Sequence, residues 1–177
     1  AMLPGVGPAW MNGMRSYSRM AVLTSMLHDE TEGRVSVEYG RPVIDYVLGG
    51  SDREQMARGL RACGEILLAA GAREVVFPFS PPVRVRSARS LAWLTAERIE
   101  PLALPLAAVH PMSSMRAGAN PTSSVCDPAG QHHQVRGLFV ADGGLFPTSL
   151  GGPPQISIYT AGLKVGRHVA AWLARRA

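Results

Sequence analysis

The chain has 177 residues, 46% hydrophobic and 18% charged, with a formal net charge of +5. At that length one domain can bury about two thirds of its unfolded surface, and no run approaches the roughly 18 apolar residues that cross a bilayer, so no membrane span is expected. The positive charge lies on scattered arginines and aromatics are only 6%, whereas a nucleic-acid surface shows a basic stripe interleaved with aromatics, so no nucleic-acid partner is expected either.

The first twenty residues lack a basic segment followed by an unbroken apolar run, so they do not form a signal peptide, and the start reads as cut from a longer chain. Met14, Tyr17, Met20, Ala21, Leu23, Met26 and Leu27 recur at spacings near three and four, which predicts an amphipathic helix over 14–27. After a turn at 29–33, Val35, Val37 and Tyr39 alternate with Arg34, Ser36 and Glu38 as in a half-buried strand. Gly40-Arg41-Pro42 punctuates it, and 43–48 reads as a second strand that completes an antiparallel hairpin.

Ser51-Asp52-Arg53-Glu54 has the form of a capping box, in which the Ser51 hydroxyl accepts from the Glu54 N–H, and it opens a helix over 51–70. Met56, Leu60, Cys63, Leu67 and Ala70 make one face of that helix, and Gly71 supplies a left-handed C-cap. A short strand is expected over 74–79 and a helix over 87–98, after which Pro101 and Pro105 deliver the chain in extended form to Val109 and His110. Farther on, 137–141 reads as an apolar strand ending in Asp142-Gly143-Gly144, and Pro153-Pro154 introduces a helix over 155–175. Its apolar set is Ile156, Tyr159, Leu163, Val165 or Gly166, Ala170 and Leu173, and Gly162 and Gly166 would let it lie close to a neighbour.

Candidate chemistry gathers in 110–160. A histidine opens a loop, a strand end carries one acid and two glycines, and a helix start offers unpaired N–H groups to an anion or a polarised carbonyl. His132-His133 reads as a solvated loop and His168 as an exposed helix residue. Cys63 and Cys126 have neither metal-ligand spacing nor a disulfide framework, so both are expected to be free, with no metal site; this favours a reducing compartment and a cytoplasmic location.

The order of three blocks in this region resembles the C-terminal signature of the glucose-methanol-choline (GMC) flavin oxidoreductases. The family pattern H-x-x-G-T-x-x-M-G stands here as the nine residues from His110 to Gly118, its strand-turn as the twelve from Gly137 to Thr148, and its G-x-N-P-x-x-T-I as the eight from Gly151 to Ile158. The likeness extends over most of the chain from about residue 30.

The resemblance implies an α+β fold. Residues 1–109 would be a substrate-side portion, an antiparallel sheet flanked by helices, and 110–177 a strand-helix segment that completes the flavin-binding domain. It implies alcohol oxidation by hydride transfer to FAD, with His110 as acid/base. Asp142, Gly143, Pro154 and Gln155 would face the cofactor, with Pro153 at a catalytic position that the family fills with Asn or His. Ser113-Ser114 replaces the family's Gly-Thr, and Ala117-Gly118 its Met-Gly. The G-x-G-x-x-G dinucleotide-binding unit is absent, so the chain holds a half-site only and its expected partners are an alcohol substrate and the missing N-terminal FAD-binding domain. The alternative reading is a degenerate, non-catalytic lid or interaction module of the same fold.

Overall fold

The computed structural model describes residues 3–176 and is an α+β protein whose contacts divide it into two compact units, with the break after Leu106. In the first unit, the spacing that predicts a helix over 14–27 is not realised. A short helix α1 (Pro8–Met14) and a 3-10 turn at Tyr17–Arg19 precede an irregular stretch up to residue 33. Tyr17, Met20, Val22, Leu23 and Met26 are exposed, so the stripe lacks the tertiary packing that stabilises most protein helices.

The hairpin forms as expected, between β1 (Arg34–Glu38) and β2 (Arg41–Asp45), with Tyr39 and Gly40 both at positive φ in a two-residue loop. It is not half-buried. Val35 pairs with Ile44 and Val37 with Pro42 on one face, yet Val35, Val37 and Ile44 are 66%, 74% and 74% exposed.

The long helix α2 (Gly50–Ala69) is the spine of this unit. Its Met56, Leu60 and Leu67 pack on a core of Leu48, Val75, Phe77, Phe79, Val85, Leu91, Leu94, Ile99 and Leu104. At Gly64 a Cβ would stand 2.8 Å from Leu91 and 3.0 Å from Phe77, so glycine sets how near the helix approaches β3 (Val75–Phe77). The antiparallel partner β4 (Val83–Val85) and two 3-10 turns, Ala88–Trp93 and Ala96–Arg98, complete the layer. The helix expected over 87–98 is therefore broken, and Trp93 instead stands edge-on to Phe77 and Phe79. Gly71 takes φ +92°, and the Gly71 and Ala72 N–H groups donate to the Leu68 and Leu67 carbonyls, closing α2 as expected.

The N-terminus of α2 is built differently from a capping box. Ser51 is exposed and no side chain caps the helix locally; Gly49 is the N-cap residue. The Gly49 N–H donates 2.8 Å to the Thr31 hydroxyl, which in turn donates to the Asp52 carboxylate. Asp52 is wholly buried and also accepts from the Glu30 and Thr31 N–H groups at 3.1 and 2.9 Å. Burial pushes its carboxyl up, but the Thr31 hydroxyl, the two N–H groups and nearby His28 together outweigh that and hold it below the ordinary carboxylate value. The irregular segment is thereby tied along α2, with Leu27 on the core and Ser25 pressed against Gly59, where any Cβ would collide with it.

The second unit is organised by α3 (Gln155–Ala174). Its inward positions are Ile158, Ala161, Val165, Val169 and Trp172, spaced by three and four. Val165 joins Cys126 and Leu145 in the core, supported by Met115, Ala117, Val125, Phe139, Val140 and Val169, while Trp172 meets Phe139 edge to face at 5.8 Å. Of the apolar set expected from spacing, Val165 is buried, whereas Ile156, Tyr159, Leu163 and Leu173 are 81%, 65%, 60% and 56% exposed. Gly162 does lie close to a neighbour, 3.4 Å from the Ala141 carbonyl by its missing Cβ, whereas Gly166 faces open space.

The run 137–141 is not a strand; it contributes a single bridge, Gln131 with Phe139, to a set of tight loops. Those loops are knitted by backbone bonds such as Val140 N–H to the Gly130 carbonyl and Asp127 N–H to the Gln131 carbonyl. His133 is no solvated residue. Its Nε2 lies 3.1 Å from the Gly118 carbonyl and 3.0 Å from Ser124 Oγ, fastening the 118–124 loop. His168 is exposed. Both cysteines are free, and burial raises both thiols. Among the described residues no helix is long and apolar enough to cross a membrane.

Candidate functional site

Gly143 is the point on which the three blocks converge. A Cβ there would lie 3.3 Å from the Pro111 carbonyl, 3.4 Å from Ile158 Cδ1 and 3.8 Å from Met112 Cγ. The residue after His110, the residue after Asp142 and the first turn of α3 thus meet at one buried glycine. The same contacts give a reason for glycine at 143 that is independent of any cofactor, because the His110 loop packs on it.

Two backbone bonds fix the loop alongside, from Met115 N–H to the Gly144 carbonyl at 3.0 Å and from Ala117 N–H to the Leu145 carbonyl at 2.9 Å. Asp142 accepts from the Gly144 N–H at 2.8 Å and starts a 3-10 turn at Gly143–Leu145. Ser114 Oγ and Asp142 Oδ1 both press on Gly144, 3.1 and 2.9 Å from where its Cβ would be. Met112, Ser114 and Ile158 are therefore part of this junction. Spacing alone did not single them out, since only the fold brings positions 112 and 158 to the same glycine.

His110, Pro153 and Gln155 are exposed, Asp142 is exposed, and Pro154 is fully buried as the N-cap of α3. The Pro154 carbonyl accepts from the Ile158 N–H at 2.9 Å, while no side chain caps the helix. The first N–H groups of α3 therefore carry the positive end of the helix dipole with no side-chain acceptor and no acid in the first turn. The Gln155 amide is engaged with the Tyr159 hydroxyl at 2.6 Å, which leaves the backbone as the donor of interest. Pro153 and Pro154 have no N–H to offer.

Two small cavities of this unit, of about 180 and 150 Å³, are lined by other residues, Lys164 and Val165 among the first set and His168 and Arg175 among the second. Neither is lined by His110, Asp142 or Gln155. Among the described residues no three His, Cys, Asp or Glu side chains converge to hold a metal ion.

Residues 29–162 match the family model for GMC oxidoreductase. The chain belongs to the GMC oxidoreductase family. Its sequence is 32% identical over 171 residues to the long-chain-alcohol oxidase FAO4A of Arabidopsis thaliana, covering 92% of this chain and 23% of that protein. An uncharacterized GMC-type oxidoreductase of Mycobacterium tuberculosis is 31% identical over 174 residues, covering 96% and 27%. The crystal structure of pyridoxine 4-oxidase from Mesorbium loti superposes with a TM-score of 0.55 at 22% identity, over 80% of this chain and 28% of that one, a likeness of fold. The chain spans about a quarter of the length of the relatives it matches.

GMC oxidoreductases generally bind FAD, and the residues present fit part of that group. Uncapped N–H groups at the start of α3 suit the electron-rich edge of a flavin ring, and a solvent-facing Asp142 oxygen suits a hydroxyl donor. In this GMC oxidoreductase chain the glycine-rich cradle for a pyrophosphate has no counterpart.

Proposed function

We propose that this chain is the C-terminal part of an FAD-dependent alcohol oxidoreductase, with residues 1–109 on the substrate side and 110–177 facing the flavin. The observation that carries the reading is the junction at Gly143, where the His110 loop, the Asp142 turn and the first turn of α3 pack together. FAD, when bound, supplies the two-electron acceptor for an alcohol carbon that gives up hydride. Everything else falls to side chains and backbone. The imidazole of His110 takes the hydroxyl proton of the alcohol, the usual work of a histidine placed as acid/base. The N–H groups at Gln155 and beyond would hold and polarise the flavin ring, and Asp142 would accept from a cofactor hydroxyl. Pro153 leaves the alcohol oxygen one hydrogen-bond partner short, because a proline side chain neither donates nor accepts.

The rest of the site would come from an N-terminal FAD-binding domain of the kind that the longer relatives have room for. A GMC relative's flavin-binding portion, produced separately and mixed with this chain, tests the reading. Flavin reduction by primary alcohols, followed in a stopped-flow instrument, should depend on both parts. His110→Ala should then slow it by about 100- to 10,000-fold, the usual range for a positioned acid/base.

Pro153 favours a second reading, in which the same fold acts as a non-catalytic lid or interaction module. Such a lid would lose nothing with His110→Ala, and that outcome would decide for it.

A further inference from the structure

Three non-glycine residues have positive φ among those described, Tyr39, Leu102 and Ser113. Tyr39 sits in a hairpin loop that demands it. Ser113 lies inside the His110 loop, with φ +70°. A left-handed backbone crowds Cβ against the following carbonyl and is disfavoured for every residue but glycine, less so for Asn and Asp.

The loop leaves Ser113 no alternative. On one side, Met112 and the Pro111 carbonyl pack on Gly143; on the other, Ser114 lies on Gly144 and Met115 donates to the Gly144 carbonyl while its side chain joins the core. Docking both flanks on consecutive glycines requires the chain to reverse at 113. The Ser113 hydroxyl has no hydrogen-bond partner among the described residues, so the backbone conformation, not the side chain, is what the position supplies.

We propose that Ser113 is a positioning residue whose strained left-handed backbone sets how often the His110 loop is docked on Gly143 and Gly144. The loop is a two-state element, docked or released, and serine biases it toward release relative to glycine. His110 is presented in a fixed place only in the docked state, so the apparent strength of anything it does scales with that population. The catalytic consequence rests on the acid/base role proposed above; the docking equilibrium does not.

A substitution series in the 177-residue chain separates backbone from hydroxyl. Ser113→Gly keeps the turn and discards the hydroxyl, whereas Ser113→Thr keeps the hydroxyl and, being β-branched, resists positive φ. The readout is hydrogen exchange at the Met115 and Ala117 amides, whose bonds to Gly144 and Leu145 exist only when the loop is docked, with the amides of the α3 interior as the control for global unfolding. Ser113→Gly should raise protection on the order of five- to tenfold, Ser113→Asn should equal or exceed the parent, and Ser113→Thr should fall below it. A ranking by hydroxyl, with Thr at or above Ser and Gly lowest, would overturn the proposal, as would protection indifferent to Gly. The glycine arm decides alone if Thr disturbs the control amides.

In the complemented enzyme, kcat should follow the same ranking with KM little changed. His110→Ala keeps the two readings apart: an unchanged rate there refutes the acid/base role, while the exchange ranking alone judges Ser113.

Discussion

Replacing Asp52 by Asn removes the charge that ties residues 28–31 to the start of α2 while keeping the volume. The buried carboxylate accepts three hydrogen bonds, from two N–H groups and one hydroxyl. Each bond to a charged acceptor contributes about 1.5–3 kcal/mol net. Asn keeps one acceptor oxygen and turns an NH₂ group toward donors, so a buried N–H loses its partner. The freed segment regains chain entropy at about 1 kcal/mol or more per residue, which offsets part of the loss. The balance is a destabilisation of about 3 kcal/mol, a large share of the roughly 5–15 kcal/mol that holds a domain folded. With a urea slope of about 1–3 kcal/mol/M, the midpoint followed by far-UV circular dichroism should drop by about 1–3 M.

The pH dependence supplies the sign. Since the folded carboxyl lies below its ordinary value of 3.8, the contribution is complete above that value and is lost as pH falls through the folded one. Asp52→Asn should therefore remove part of the acid limb of the stability profile as well as lower its plateau. A midpoint within about 0.3 M of the parent, with superimposable acid limbs, would refute the account of this cap.

Ser51→Ala, a change that a capping box would punish, should shift stability by less than about 0.5 kcal/mol, because the exposed hydroxyl caps nothing; a loss near 1 kcal/mol in the same titration would restore the local cap. Gly64→Ala should cost about 1–3 kcal/mol by forcing Leu91 and Phe77 apart, and near-UV circular dichroism of Trp93, which packs on Phe77, should change with it. Gly130→Ala should cost more, since φ is +85° and the new methyl would stand 2.8 Å from the Val140 carbonyl and 2.6 Å from Val165 Cγ2; a melting temperature unchanged within 1–2 °C would be the contrary result. In the complemented enzyme, Pro153→Asn should leave flavin reduction equal or faster, and a marked fall would mean that proline itself shapes the site.

Long periodic segments were legible in the sequence: α2, α3 and the β1–β2 hairpin stand where spacing and turn residues put them. What failed did so where short-range pattern and long-range contact disagree. The Ser51 motif has the right letters for a cap, but Thr31, eighteen positions before Gly49, supplies the bond. The stripe in 14–27 has helical spacing, yet Tyr17, Met20, Leu23 and Met26 stay exposed while Leu27, at its end, packs on the core. The apolar run 137–141 looks like a strand, yet its neighbours are loops, so it gains one bridge only. Around the candidate site, the blocks and their order were visible from His110, Asp142 and Pro154. Convergence on Gly143 was not, because a glycine's contacts lie on whatever packs against it.

The two apolar stripes of α3 divide its residues into two classes of mutational phenotype. An acidic substitution at Val165 strikes the core and should be felt in any assay of the 177-residue chain by itself. The same substitution at Leu163, two positions away and 60% exposed, should leave that chain folded and make it more dispersed in solution. A selection for solubility would enrich acids at Ile156, Tyr159, Leu163 and Leu173, and a selection for the proposed alcohol-dependent flavin reduction in the complemented protein would show whether those positions are free to vary. Comparing the two enrichments along one helix sorts residues needed to fold from residues needed to assemble.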